Sequence, residues 1–361
     1  MTGGKTKSEG MQATAGAALA PVVATMRRLI ATGATGGPDE GDLQTFYGMV
    51  RYHLGWVDAS FAPAEAATGK RLRPLLVVRC AEACGASAAE AAPLAAAVEL
   101  LHNFTLVHDD IQDESAYRHH RETIWHRWGT AAAINTGDAL YALAHEALYE
   151  LATTAPALPP ARLLGLARDF DRMALRIVEG QHLDLSHEGR WGGGEARYLA
   201  MIGGKTAAIM AFATRAGATV AGVDDAAVAL FERFGRDLGL AFQIRDDILG
   251  IWAAQEVTGK PTADDIRRRK QSLPLIALDE RARPDDRAEL RRLYAAEGRP
   301  DEAVVARVLA LLDRYEIADY CQGRVEAYHH DAGGALDQLA VRGVLAESLR
   351  DFLAGLEGRA Y

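Results

Sequence analysis

Two aspartate clusters carry the chemistry that this chain is able to do: Asp109-Asp110-Ile111-Gln112-Asp113 and Asp246-Asp247-Ile248-Leu249-Gly250. Each lies in an apolar run with helical spacing, and burying like charges is costly unless a cation neutralises them. In a helix Asp109 and Asp113 are one turn apart, with Cβ atoms about 5–6 Å from each other on one face. Carboxylates at that spacing can share Mg²⁺ and leave its other octahedral positions to water and phosphate oxygens. The competing explanation is a helix N-terminus, where Asp is favoured. Leu101, Phe104, Leu106 and Val107 lie just upstream and predict that the helix runs through instead. Asp110 points elsewhere, as a support for the pair. The second cluster ends in Gly250 where the first ends in Asp113, and water is expected to stand in place of the missing carboxylate.

Cations accompany the acids. Lys70 and Arg73, three apart in Gly69-Lys70-Arg71-Leu72-Arg73-Pro74, can converge on one anion, although such a run taken alone is more often a solvated turn. His102 lies almost two helical turns before Asp109 and shares its face. Arg118 follows the first cluster, Gln181 and Lys205-Thr206 lie between the two, and Lys260 and Lys270 follow the second. Repeated pairing of carboxylates with Lys and Arg is what a metal–diphosphate site needs.

The elements that must position these groups read as helices. Ala and Leu are abundant and apolar residues recur at three and four, whereas no period-two strand run is present. Helices are expected over 86–108, 130–153, 161–187, 204–219, 225–252, 272–282, 301–329 and 335–356, with Pro93 marking a start or kink in the first. Breaks are expected at 153–160, 189–194, 258–261 and 283–284. The expected fold is all-α, one helical domain over 21–361 preceded by a flexible tail over 1–20. A role for residues 1–20 in recruiting a partner stays open. The net charge of −9 argues against a broad nucleic-acid surface. No run reaches the 18 or so apolar residues of a membrane span. Three cysteines, Cys80, Cys84 and Cys321, give no disulfide framework and fit a reducing, cytoplasmic setting.

At this point the chain resembles the trans-type polyprenyl synthetases, the isoprenyl diphosphate synthases that make farnesyl and geranylgeranyl diphosphate. The resemblance covers roughly 40–350 and rests on six pieces in family order. These are GKRLRP at 69–74, ELLHNFTLVHDDIQDES at 99–115, GQHLDL at 180–185, KT at 205–206, FQIRDDILG at 242–250, and GKP at 259–261 with DDIRRRKQSLP at 264–274. It implies the prenyl synthase (terpenoid synthase) helical bundle around a central cavity, usually as a homodimer. It implies head-to-tail condensation of isopentenyl diphosphate with an allylic diphosphate (dimethylallyl, geranyl or farnesyl), releasing pyrophosphate. Lys70, Arg73, His102 and, in the place of a second arginine, His119 would hold isopentenyl diphosphate. Arg118, Lys205, Thr206, Gln243, Lys260 and Lys270 would surround the allylic diphosphate. Asp109, Asp113 and, from the opposite wall, Asp246 would bind two or three Mg²⁺, while Gln181 and Lys205 would face the allylic cation.

Two positions depart from the family pattern: His119 lacks the permanent charge and bidentate fork of arginine, with Arg121 as a candidate substitute, and Gly250 has no acid. Phe104 and Thr105, five and four residues before Asp109, fall where the resemblance puts the floor of the chain-elongation pocket. An aromatic there, with no insertion in the aspartate motif, resembles geranylgeranyl-type synthases, then farnesyl-type. The competing readings are a non-catalytic partner subunit of a prenyl synthase and a class I terpene cyclase. The intact Asp109/Asp113 pair argues against the former, and the GKRLRP turn against the latter.

Overall fold

A computed structural model describes residues 3–32, 39–66, 69, 71–156, 158–187, 190–253, 262–295, 298 and 300–357, with the backbone alone at 3–14, 32 and 357. The described residues are helices joined by short turns, with one two-residue hairpin, β1 (Tyr117–Arg118) paired antiparallel to β2 (Arg121–Glu122). In chain order the first helices are α1 (Gly3–Thr32), α2 (Glu40–His53), α3 (Leu72–Ala83), α4 (Ala88–Gln112), α5 (Ile124–Trp128), α6 (Thr130–Tyr149), α7 (Leu151–Thr154) and α8 (Pro160–His187). Next come α9 (Gly194–Ile202), a π-helical turn (Gly203–Ala207), α10 (Ala208–Val220) and α11 (Asp225–Trp252). The remaining helices are Asp264–Arg267, Leu273–Arg281, Pro284–Ala295, Glu302–Arg314, Ile317–Val341 and Glu347–Glu357. None of the described helices is long and apolar enough to cross a membrane.

The chain forms two compact units, Met1–Arg168 with Ala213–Val228, and Asp169–Phe212 with Ala229–Tyr361. The first is built on α4, with α1, α3 and α6 packed against it. Ser87 caps α4 in a reciprocal capping box with Glu90, so the helix begins well before Pro93 and continues past it. Leu94, Val98, Leu100 and Leu101 are fully buried along α4. Each buried side chain of that size contributes about 1.5–3 kcal/mol. That outweighs the unfavourable placement of acids at a helix C-terminus, about 0.3–1 kcal/mol per charge. In the second unit Tyr198, Ile248, Leu273, Leu278, Leu311 and Val325 belong to one buried cluster.

The sequence reading differs from the structure in several places. Where a flexible tail was expected over 1–20, the backbone is helical from Gly3, because Val22, Met26 and Ile30 anchor α1 at about 1% exposure and the Ala-rich stretch before them continues the helix. The helix expected over 301–329 breaks at Glu316, which adopts the left-handed region at φ 52°. The one expected over 335–356 breaks at Gly343, at φ 86°. The helix expected from 204 opens instead as the π turn. Helices α2, α3, α9 and Pro284–Ala295 fall outside the expected spans.

Candidate active site

The first aspartate cluster ends α4. The Asp113 amide donates to the Asp109 carbonyl at 2.8 Å, which places both side chains on one helical face. Asp113 is exposed and Asp109 half-buried. Asp110 is 3% exposed and is held by Arg118, whose Nε and Nη2 donate to Oδ1 at 2.9 and 2.8 Å. Burial raises the Asp110 pKa; Arg118 opposes that, and Asp113 adds to it. Three acids at the negative end of a helix dipole create a potential that a cation relieves. The oxygens of Asp109 and Asp113 are the hard donors that Mg²⁺ takes, and Asp113 makes no ion pair among the described residues. The residues present therefore fit the metal. Among the described residues no three His, Cys, Asp or Glu side chains form a ready cage; Mg²⁺ needs none where one or two carboxylates and a substrate phosphate suffice.

Upstream on α4, His102 Nε2 lies 3.1 Å from Arg73 Nη1 on α3. Arg71, in the left-handed region at φ 47°, starts α3 and puts its Nε 3.9 Å from Glu99. Glu99 is 6% exposed, and burial raises its pKa against the pull of Arg71 and Arg73. Lys70, between these groups in sequence, lies outside the described residues, as does Lys260. His119 sits in the turn between β1 and β2 at φ 49°; burial, Arg118 and His120 lower its pKa. Arg121 does not replace it. Its guanidinium donates to the carbonyls of Tyr52 and Val57 at 2.8 and 2.9 Å and stacks 3.9 Å over the Tyr52 ring. Phe104 contacts His108 and Tyr141, with ring centroids at 4.8 and 5.2 Å, and the Thr105 hydroxyl donates to the His102 carbonyl at 2.7 Å. Gly137 lets α6 approach this corner: a Cβ there would lie 2.3 Å from the His108 ring.

The second unit carries the other cluster on α11. Asp246 is exposed, whereas Asp247 is 3% exposed and accepts from three donors. Tyr198 Oη donates to Oδ2 at 2.7 Å, the Leu273 amide to Oδ2 at 3.1 Å, and Gln243 Nε2 to Oδ1 at 3.0 Å. Gln243 Oε1 in turn accepts from the Thr206 hydroxyl at 2.7 Å. Asp247 thereby ties α11, α9, the π turn and the start of the Leu273–Arg281 helix together. Lys205 Nζ donates to Asp184 on α8 at 2.6 Å. Gln181, one turn before Asp184, is 8% exposed. The π turn presses directly on α8: a Cβ on Gly180 would lie 2.2 Å from the Lys205 amide nitrogen, and one on Gly204 2.7 Å from the Arg176 carbonyl. Extra-wide helical turns of this kind often mark functional sites.

Gly250 lies directly against another acid. A Cβ there would fall 2.5 Å from Oδ2 of Asp265, so that carboxylate already takes the space where a side chain would begin. Asp265 is 8% exposed, on the short helix after the cluster, and Lys270, exposed, follows it.

Of the residues expected to act, Arg73, His102, Arg118, His119, Asp109, Asp113, Phe104 and Thr105 lie in the first unit, and Gln181, Lys205, Thr206, Gln243, Asp246 and Lys270 in the second. Asp184, Asp247 and Asp265 were not singled out. Their motifs stood in the sequence, but their partners are 21, 49 and 15 residues away. His53 was missed altogether: burial and the Arg118, Arg121 and His119 charges push its pKa down to about 3, against a hydrogen bond with Asn103.

The family model described as polyprenyl synthetase matches residues 56–312. A geranylgeranyl diphosphate synthase of Mycobacterium tuberculosis is 40% identical over 309 residues, 86% of this chain and 82% of that protein. A (2E,6E)-farnesyl diphosphate synthase of Mycobacterium bovis is 43% identical over 227 residues, 63% of this chain and 61% of that protein. A crystal structure of polyprenyl synthetase from Streptomyces coelicolor A3(2) superposes with a TM-score of 0.78 at 34% identity, covering 89% of this chain and 92% of that one.

Proposed function

This chain belongs to the polyprenyl synthetase family, and from that premise we propose that it condenses isopentenyl diphosphate with an allylic diphosphate to make geranylgeranyl diphosphate, with farnesyl diphosphate as the nearest alternative product. That it is a prenyltransferase making short-chain trans-prenyl diphosphates follows from its curated relatives. The observation that carries the substrate reading is α4 itself. It carries His102, with Arg73 of α3 against it, and, seven residues on, or about 10 Å along the axis, the Asp109/Asp113 pair. Two diphosphates, one taken directly by cations and one through a metal, suit that spacing.

In this reading Asp109, Asp113 and Asp246 hold Mg²⁺, which when bound supplies positive charge to the leaving pyrophosphate. The chain's own cations do the same. Arg118, Lys205, Lys260 and Lys270 stabilise charge growing on the leaving group as the allylic C–O bond breaks. Asp110 fixes the Arg118 guanidinium, and Asp184 fixes the Lys205 ammonium, so neither reorganises as the charge develops. The Thr206 hydroxyl and Asp247 hold the Gln243 amide from both ends, and Gln181 with the π-turn carbonyls turns dipoles toward the carbocation. The new C–C bond forms at the terminal alkene carbon of isopentenyl diphosphate, held by Lys70, Arg73, His102 and His119. The proton lost from it passes to the released pyrophosphate. We place the enzyme in the cytoplasm as a homodimer, in which the exposed Leu164, Leu175 and Val178 of α8 would find cover.

The test is turnover of the purified protein with Mg²⁺, isopentenyl diphosphate and each allylic starter in turn. Elongated diphosphates are expected, and their chain length identifies the product. Silence with every starter would instead indicate a partner subunit, and hydrocarbon made without isopentenyl diphosphate a cyclase. Phe104→Ala is expected to lengthen the products, and an unchanged spectrum would remove Phe104 as the floor.

A further inference from the structure

The contact between Arg73 and His102 fixes the protonation of the imidazole. A guanidinium is always charged and has no acceptor. With Arg73 Nη1 3.1 Å away, His102 Nε2 must be the acceptor, and the ring is neutral with its hydrogen on Nδ1. A diphosphate arriving at the same nitrogen offers the opposite chemistry. Its oxygens are acceptors and carry negative charge at neutral pH. Two acceptors cannot bond, so the nitrogen that accepts from Arg73 cannot simply be offered to the substrate.

Among the described residues, the charged and titratable groups around the ring agree with a neutral starting state. Arg73 approaches from α3, His53 from α2, and Arg118 and His119 from the hairpin; together with burial, all of them press the His102 pKa well below its ordinary value. Two buried acids of α4 are engaged elsewhere: Asp110 holds Arg118, and Glu99, one turn back, faces Arg71. A bound diphosphate would bring at least two negative charges among these cations and reverse the field. The cost of protonating the ring would then become a gain.

We propose that His102 takes up a proton as isopentenyl diphosphate binds, and so changes from the acceptor of Arg73 into a charged donor to the diphosphate. The inference rests on the isopentenyl diphosphate site proposed above. It makes His102 the proton-linked element of that site, with Arg73 freed to turn its fork to the same anion.

The test is calorimetric titration of the full chain with isopentenyl diphosphate, without an allylic starter so that no turnover occurs, in buffers of different ionisation enthalpy. His102→Gln is the comparison: the Gln amide can accept from Arg73 and donate to phosphate without changing protonation. At mildly alkaline pH the wild type is expected to take up close to one proton per site more than the variant. Its affinity is then expected to weaken by up to about tenfold per pH unit where the variant's does not. Equal proton uptake by the two proteins overturns the inference while leaving the site standing. Absence of binding overturns the site and the inference together. Should His102→Gln fail to fold, histidine ¹⁵N shifts of the wild type read the same point. His102 is expected to carry a hydrogen on Nδ1 alone in the free protein and on both ring nitrogens with isopentenyl diphosphate bound, and a ring that stays neutral in either tautomer overturns the proposal.

Discussion

The two Asp-Asp steps divide their labour in the same way but secure it differently. Adjacent helical residues point about 100° apart, so one acid of each pair faces out and its neighbour faces in. Asp109 and Asp246 are the outward acids, while Asp110 and Asp247 are each 3% exposed. Asp110 is neutralised by one charged partner, Arg118, from the first strand of the hairpin that follows the helix end. Asp247 is satisfied by three neutral donors from three separate elements. The first arrangement fixes one cation at the helix end through a charged pair. The second builds the inward acid into the frame of its unit, so that Gln243 and Thr206 are held in place before any substrate arrives.

The outward acids break the comparison first. Asp109→Asn is expected to lower kcat by on the order of 10²–10³, the scale of losing one preorganised charge-stabilising group. Asp246→Asn, whose turn holds the Asp265 carboxylate near residue 250, should lose less, and steady-state kinetics over a Mg²⁺ series would show it. Equal losses would mean that the two clusters share the metal work evenly. The inward acids differ in stability rather than rate. Asp247→Ala leaves the Tyr198 hydroxyl, the Leu273 amide and the Gln243 amide without an acceptor, at about 1–3 kcal/mol for each group that stays dry. Asp110→Ala releases a half-exposed Arg118 to water and should cost about 1–2 kcal/mol. Denaturation midpoints measured side by side decide between them, and a larger loss for Asp110→Ala would mean that the first inward acid carries more of its unit's frame than the second.

Asp109 and Asp113 were legible in the sequence because two acids one helical turn apart are a local pattern. The long helices α8 and α11 were legible because apolar periodicity is local too. What escaped depends on distance along the chain. Asp247 looks like its neighbour until Tyr198 and Leu273 are brought to it. Gly250 looks like a missing ligand, and only the fold brings the Asp265 carboxylate against it. The π turn is hidden because Gly-Gly-Lys-Thr-Ala reads as an ordinary helix start; its extra-wide turn arises where Gly180 and Gly204 let two backbones touch. The break at Glu316 is hidden for the converse reason, since a glutamate in the left-handed region carries no sequence mark.

The smallest expected effect separates the units by pH. The His53 imidazole falls from its ordinary value to about 3 in the folded chain, through burial first and the Arg118 charge next. A depressed histidine pKa means that the unfolded state binds the proton more readily. Stability from this group is therefore present above about pH 6.5 and falls as pH drops from there toward 3, by about 1 kcal/mol over the first pH unit and approaching about 1.4 kcal/mol per unit below it. His102 titrates in the same direction beside it. Both residues belong to the first unit, so hydrogen exchange at mildly acid pH should open α2 and α4 before the α11 segment that carries Asp247. His53→Asn, which removes the titrating group while keeping a polar side chain next to Asn103, should flatten that acid slope. If the slope is unchanged in the variant, the acid sensitivity belongs to other groups, and the cationic corner around His102 is less closed to protons than its geometry implies.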